Sequence, residues 1–594
     1  MSRYATPASL NADAYKASHD EQYPHGTEFL FFNMTPRSDK YLNTPMNKDG
    51  AVAFGLKRFC EDYLRDHWNE TFFKQPKKEI VDVTMAIMNG VLGKDAVPRK
   101  RWEDLHDLGY LPVAVYGVKE GTLLPIKVPM LAFTSTHWDF AWVAGYLEDA
   151  FSNELWKATT IATISLHNRR LAESWAAVTC DNNGHVPWQF HDFALRGLSG
   201  MNDGALNSIG HLTSFKGTDN FAAVYTAKRV YGEGMDISDI GNSVPATEHS
   251  VMTANIAINI HNEFGEDADT TSKEQRYEGE KETFRSLMVD TYPTGILSVV
   301  SDSYDYWRTI GQMAYELKDV IMARDGKLVF RPDSGNPFHV VCGYNAIEFE
   351  DAKALINKRL KADEYTAFDQ GSLAGWIYVS SLKEMKDLPY MSWLREDGYE
   401  LIVDKEDFDG AETFNLKTYE QRWMSTEEIN GSLRTLWNTF GGTQNSKGFN
   451  LLDEHVGLIY GDSITSELAD EILDRMAEMN FASSNIVFGV GSYTYQYITR
   501  DTLGFAVKAT YLNARGTEVM LSKDPVTDSV LKKSARGCVL PMVVDGKIVA
   551  VDELTPKEFA EKFDESEFEL FFADSVCYNK DTLEDIRKRV DAVV

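Results

Sequence analysis

Arg331 and Asp333 stand two residues apart in RPDSGNP (331–337), directly after the apolar run Leu328, Val329 and Phe330. A guanidinium grips phosphate or carboxylate through paired N–H donors, and a neighbouring carboxylate can face positive charge or a metal ion. Pro332, Gly335 and Pro337 stop helix and strand alike, so both charges sit on a turn. The pattern recurs along the chain. Asp192, Phe193 and Arg196 follow WQFH, Asp219 follows SFKGT, His249 follows SVPATE and Asp302 follows ILSVVS. Further on, GDSITSE sets Gly461, Asp462 and Ser463 before a helical stretch, and GVGSYT sets Gly489, Gly491 and Ser492 before another. Glycine-rich turns at helix starts expose N–H groups, an arrangement that suits phosphate.

Taken singly, each residue has a plainer reading. Asp219 or Asp302 could cap a helix, His249 could be a hydrogen-bonded structural histidine, and Phe193 could be core. The basic group Arg500, Lys508, Arg515, Lys523, Lys532, Lys533 and Arg536 would ordinarily be a solvated face. Taken together, the set fits an anionic substrate with a metal-bound phosphate better than any collection of independent roles. No Walker sequence and no G-x-G-x-x-G occurs, which removes the P-loop and dinucleotide-fold readings.

An element that ends in such a tip and is followed by a helix, repeated about seven times between residues 186 and 505, is the signature of a parallel α/β architecture. The fold expected is an irregular (β/α) barrel, whose strands all deliver their carboxyl ends to one face. Residues 1–185 mix strands and helices. Residues 506–594 are β-rich, with a hairpin signal at Asp545-Gly546 and a second near Asn513 to Gly516. The two ends are expected to form one flanking α+β domain. The rhythm lapses at about 345–450, which holds four of the twelve tryptophans. A structureless loop of that length is improbable, so it reads as a folded insertion.

Bulk composition sets the outer limits. A chain of 594 residues exceeds one core, and 43% apolar with 25% charged content is that of a globular protein. A net charge of −30 disfavours a nucleic-acid surface, although a few cations in one cleft can still hold a small anion. Five scattered cysteines without a C-x-x-C pair argue for a reducing, cytoplasmic setting. No signal core opens the chain, and the longest greasy stretch is interrupted by Lys127, His137 and Asp139, so no membrane span is expected.

Nine collinear segments carry a family resemblance: DAYKASHDEQYP (13–24), HDFALRGLSG (191–200), FKGTD (215–219), SVPATEHS (243–250), SVVSDSYD (298–305), RPDSGNP (331–337), GDS (461–463), FGVGSYTYQYITRD (488–501) and SKDPVTD (522–528). In order and spacing they resemble the nicotinamide phosphoribosyltransferases, a type II phosphoribosyltransferase family. The resemblance implies a homodimer with shared active sites, using Mg²⁺, that makes nicotinamide mononucleotide and pyrophosphate from nicotinamide and phosphoribosyl pyrophosphate. It implies that Phe193, and Tyr15 of the partner subunit, sandwich the pyridine ring beside Arg331. It makes Asp219 the acceptor of the carboxamide N–H₂. It assigns the phosphoribosyl and pyrophosphate groups to Arg196, Arg331, Asp333, Gly461, Asp462, Gly491, Ser492, Arg500, Lys508 and Lys523, with Asp302 near the metal. His249 matches a histidine phosphorylated by ATP. Ala194-Leu195 departs from the usual Gly-Tyr, and Ser492 stands where glycine is usual. The rival readings are a nicotinate phosphoribosyltransferase, which Asp219 would disfavour by like-charge repulsion, and a non-catalytic binding protein on the same fold.

Overall fold

The computed structural model describes residues 6–344, 390–394, 399–404, 419–423, 425–461, 463–523 and 535–594. The chain divides into two compact units. One comprises residues 1–170, 194–242 and 494–594, the other 171–193 and 243–493.

The second unit is built on a five-stranded parallel sheet, ordered Phe190–Asp192, Ile486–Val490, Val456–Tyr460, Asp325–Arg331 and Thr294–Val300. Every neighbouring pair is parallel. These are β-branched and aromatic runs. Leu297, Val299, Leu328, Phe330, Leu458, Ile486 and Phe488 are buried, as expected of strands covered on both faces. The sheet is the half-barrel core of an α/β fold. Two of the strands expected from the tip pattern shrink to isolated bridges. Gly217 pairs with Asn242, and Ala246 pairs with Ser298. In the second unit the bridge rests on Ser298 N–H to Pro245 O at 3.0 Å and Thr247 N–H to Ser298 O at 3.0 Å. Pro245 has no N–H to extend the ladder.

In the first unit a seven-stranded sheet joins both ends of the chain. The strand Thr27–Thr35 lies between Leu131–Ser135 and Ala506–Ala514, all antiparallel. The hairpin Cys538–Val544/Lys547–Leu554 turns on Asp545 and Gly546, both at positive φ (50° and 74°), as a two-residue primed turn demands. A second hairpin joins Ala506–Ala514 to Thr517–Met520 through Arg515 and Gly516. Residues 194–242, read in the sequence as part of the barrel, cluster with this unit for an apolar reason. The helix Phe221–Tyr231 places Ala223, Ala227, Val230 and Tyr231 on one stripe, packed with Phe54, Ala158, Ala162, Leu583 and Ile586.

Most of the stretch expected as a folded insertion (345–450) lies outside the described residues. Its described parts are a three-stranded antiparallel sheet, Tyr390–Leu394, Tyr399–Asp404 and Tyr419–Trp423, and the helix Thr426–Phe440. That helix is integral to the second unit. Leu433 and Leu436 are buried, and Ser432 Oγ donates to Val340 O at 2.6 Å while meeting the Tyr306 hydroxyl at 2.7 Å.

Candidate active site

Parallel pairing puts Asp192 opposite Val490, Tyr460 opposite Phe488, and Arg331 opposite Val300. The carboxyl ends of the strands therefore align along one edge, and the residues that follow them gather there. Phe193 is fixed by its N–H to Val490 O at 2.9 Å. Its ring lies close over Gly489. A Cβ there would meet Phe193 Cδ2 at 2.8 Å and Gly461 Cα at 2.7 Å, so glycine is needed for the approach of both.

Asp302 organises the turn after Asp325–Arg331. One carboxylate oxygen, Oδ2, accepts from Asp333 N–H at 2.9 Å and Ser334 Oγ at 2.5 Å. The other, Oδ1, is buried with no hydrogen-bond partner and lies 3.7 Å from His249 Nε2. His249 opens the helix His249–Phe264 and is half exposed, and its Nδ1 is hydrogen-bonded to Ser303 Oγ at 3.1 Å. That exposure excludes a role as a packed core histidine. Arg331 is largely buried. Its guanidinium donates to Thr247 O, and its Nε lies 3.8 Å from Asp333 Oδ1. Asp333 Oδ1 also sits 3.0 Å from where a Cβ of Gly461 would be. A cation, two carboxylates and an imidazole are thus held around glycine backbone, an arrangement able to hold a polyanion beside a developing positive centre.

The capping readings are settled by neighbours. Asn220, not Asp219, caps the helix Phe221–Tyr231, accepting from Ala223 N–H at 3.1 Å. Asp305, not Asp302, caps the turn Tyr306–Arg308. Asp219 is consequently exposed at the tip. Ser463 takes positive φ before the helix Ser466–Glu478, while Gly491 precedes only a single turn, Ser492–Tyr495, which Ser492 opens. Asp462 lies outside the described residues.

The remaining expected site residues belong to the first unit. Arg196 is exposed on the turn Leu195–Gly197, Arg500 begins Arg500–Thr502, Lys523 is exposed, and Tyr15 presents its ring to solvent on Ala14–Ser18. Lys508 is half-buried on Ala506–Ala514. Burial, with Arg37, Lys523 and Lys16 adding to it and Glu148 opposing, lowers its pKa. Lys16 and Arg37 escaped the sequence reading because neither stands at a strand tip. Arg587 escaped it too. Its guanidinium donates to Leu212 O at 2.8 Å, Ile240 O at 2.7 Å and Phe215 O at 3.2 Å, clamping the segments on either side of the Asp219 tip. Burial lowers its pKa to about 10.

With the geometry in place, relatedness can be added. The profile of the nicotinate phosphoribosyltransferase (NAPRTase) family matches residues 188–368 and 423–580. A nicotinamide phosphoribosyltransferase of Acinetobacter baylyi is 37% identical over 98% of this chain and 96% of its own length. Proteins of the same name from Mycoplasma pneumoniae and Xanthomonas campestris pv. campestris are 27% and 26% identical, over 88% and 89% of this chain. The chain belongs to the nicotinate phosphoribosyltransferase family.

Glu280 supplies a pH test of the ground beside Asp302. It lies buried on the helix Lys273–Ser286, and its Oε1 has no hydrogen-bond partner. Burial, then the Asp305 and Asp302 carboxylates, push its pKa from 4.5 up to about 8. A raised carboxyl pKa means that its stabilising contribution is fully present below pH 4.5 and is lost as pH rises through about 8. Melting temperatures of wild type and Glu280→Gln, followed from acid to alkaline pH, should therefore diverge, with the wild type losing ground to the variant between pH 4.5 and about 8 and no further above it. Parallel profiles would show that Glu280 ionises freely.

Proposed function

We propose that this protein transfers the 5-phosphoribosyl group from phosphoribosyl pyrophosphate to nicotinamide, yielding nicotinamide mononucleotide and pyrophosphate, a step of NAD salvage. The observation that carries the choice of base is the exposed Asp219 carboxylate, released from capping by Asn220. A carboxamide donates to it, whereas a nicotinate carboxylate would be repelled. In the reaction the anomeric C–O bond to pyrophosphate breaks and its electron pair leaves with the pyrophosphate. The pyridine nitrogen forms the new C–N bond through its own lone pair. That nitrogen carries no proton, so no general base is needed, and catalysis is positioning and electrostatics. Arg331 would face the departing phosphates, and Asp333 would face the cationic ribose. Phe193 would lie against one face of the ring and Tyr15 of a second subunit against the other.

Mg²⁺ fits this site as an ion carried in by substrate phosphates. No cluster of three or more His, Cys, Asp or Glu side chains among the described residues could cage one, while buried Asp302 Oδ1 is free to accept from its hydration shell. When bound, the ion would neutralise charge on the leaving pyrophosphate. No helix among the described residues is long and apolar enough to cross a membrane.

Incubation with labelled nicotinamide or nicotinate plus phosphoribosyl pyrophosphate tests the reading, nicotinamide mononucleotide being the expected product. Asp219→Ser should narrow the preference for nicotinamide by about 1.5–3 kcal/mol, the value of a hydrogen bond to a charged acceptor. Unchanged discrimination would remove Asp219 from base recognition. Nicotinate mononucleotide as the sole product would favour the acid-specific reading, and no product a binding role.

The shared-site reading rests on Tyr15, whose ring is 54% exposed in the single chain. Mixing inactive Tyr15→Ala chains with inactive Asp333→Ala chains should restore part of the activity, since one hybrid site is intact. Proven heterodimers without activity would mean that each chain works alone.

The ATP coupling rests on His249. With Nδ1–H donating to Ser303 Oγ, Nε2 keeps its lone pair and can attack the γ-phosphorus of ATP as ADP leaves with the bridging oxygen's electrons. The resulting phosphohistidine adds negative charge beside Asp302, able to organise Mg²⁺ and substrate, and water later releases phosphate. His249→Ala should abolish acid-labile phosphate uptake from labelled ATP and leave slow transfer. Wild-type labelling in a folded Ala variant would exclude the residue.

A further inference from the structure

A cavity of about 420 Å³ opens in the second unit, reaching the Asp302 carboxylate from the side of the helix Lys273–Ser286. Its lining includes Lys273, Arg276, Glu280, Asp302, Trp307 and Arg308. Asp302, Tyr304 and a third carboxylate, Asp305, belong to SVVSDSYD and Ser334 to RPDSGNP, while the rest of the lining lies outside the family segments.

Three properties define what it would take. First, the three cations have no carboxylate within ion-pair distance among the described residues, in a chain with 90 acidic and 60 basic side chains. Two of them are pre-oriented by aromatic faces. The Arg276 guanidinium stands 4.5 Å from the Tyr304 ring centre and the Arg308 guanidinium 3.9 Å from that of Tyr277. Each donates from Nε, Arg276 to Thr270 O at 2.6 Å and Arg308 to Gln312 Oε1 at 3.1 Å, and a guanidinium held in this way still presents terminal N–H groups matched to phosphate oxygens. Second, two deeply buried carboxyl oxygens, Glu280 Oε1 and Asp302 Oδ1, have no hydrogen-bond partner. Ligand hydroxyls, which both donate and accept, can satisfy carboxyl oxygens in either protonation state. Third, Trp307 and Tyr304 supply π-faces on the wall, and the volume lies in the range of small-molecule sites, well above what inorganic phosphate needs.

Phosphate oxygens for the cations, sugar hydroxyls for the carboxyl oxygens and a flat ring for the aromatic wall together describe one chemical class. We infer that this cavity is a nucleotide-binding site, distinct from the substrate site at the strand tips and joined to it through the shared Asp302 carboxylate. A nucleotide there contacts the residue that fixes the Asp333–Ser334 turn and stands beside His249, so its occupancy is read directly by the site. The inference does not depend on which base the protein uses, or on whether it transfers phosphoribosyl groups at all.

Photolabelling of the full chain with 8-azido-ADP, followed by peptide mapping, tests it. The adduct is expected on the segment containing Tyr304 and Trp307. Arg276→Ala and Arg308→Ala should each lower that adduct by about tenfold or more, as loss of a charge-assisted hydrogen bond predicts, with transferase turnover unchanged. Arg308 packs on Tyr277, so a melting curve accompanies its variant, and Arg276, stacked on a different ring, gives an independent reading. Labelling confined to 331–335 or 488–492, or undiminished in Arg276→Ala, would overturn the assignment, and so would the absence of any adduct. If mononucleotide synthesis fails while this adduct forms, only the transferase reading falls. The reverse result removes only the nucleotide cavity.

Discussion

The carboxylate of Asp302 is the constraint on which the strand-tip geometry depends. It leaves the end of Thr294–Val300 and accepts from the backbone N–H of Asp333 and the hydroxyl of Ser334. The residues after Arg331 cannot continue the sheet, because Pro332 has no N–H to donate. Without an outside acceptor that partly exposed turn would have only water to fix its donors. Asp302 satisfies them and so sets where Asp333 points. The adjacent Ser303 holds His249. Two consecutive residues of one strand end thereby place a carboxylate and an imidazole borne by two other segments. The backbone reinforces this, with Ser301 N–H to Arg331 O and Val300 N–H to the Thr247 hydroxyl binding the same three segments together.

Much of this was legible in the sequence, and the reasons differ by element. The parallel strands were visible as short apolar runs ending in polar turns, because strands buried on both faces need uninterrupted apolar residues. The hairpin at Asp545-Gly546 was visible because its turn requires positive φ at both positions. The strand at Ser243–Thr247 was overcalled, since its position beside Thr294–Val300 rests on a single bridge held by two hydrogen bonds around a proline. The helix Thr426–Phe440 lies inside the segment whose sequence reads as a folded insertion. Its apolar face is evident only once Val340 and Tyr306 are seen against Ser432. Arg587 could not have been found at all. A lone arginine on a C-terminal helix gives no sign that it holds carbonyls from residues 212, 215 and 240.

Charge shows the same separation between bulk and local readings. An overall charge of −30 says little about a cleft, because exposed charges farther apart than about 10 Å are screened. What matters is the local balance. Arg331 is mostly buried, and its Nε makes no hydrogen bond and faces Asp333 Oδ1 at 3.8 Å, so the nearest counter-charge is close without being bonded to it. In the first unit, burial and cationic neighbours lower the pKa of Lys508. Binding of an anion there would relieve that cost, coupling ligand affinity to the protonation of the lysine.

The base selection proposed for Asp219 depends on how two adjacent residues divide their work. An Asp immediately before an apolar helix would normally be drawn into capping, where its carboxylate accepts from the first N–H groups and is spent on the fold. Here Asn220 occupies the cap and also donates from its amide to Gly204 O at 2.9 Å, so that its side chain is used fully by the structure. Thr218 completes the turn from the other side, its hydroxyl accepting from Asn220 N–H at 3.0 Å and its own N–H donating to Asn242 O at 3.0 Å. Both neighbours of Asp219 are therefore committed to structure, which keeps the tip rigid. The cap is filled by Asn220, and under the proposed function an exposed carboxylate on a rigid tip would tell an amide from an acid with little further adjustment.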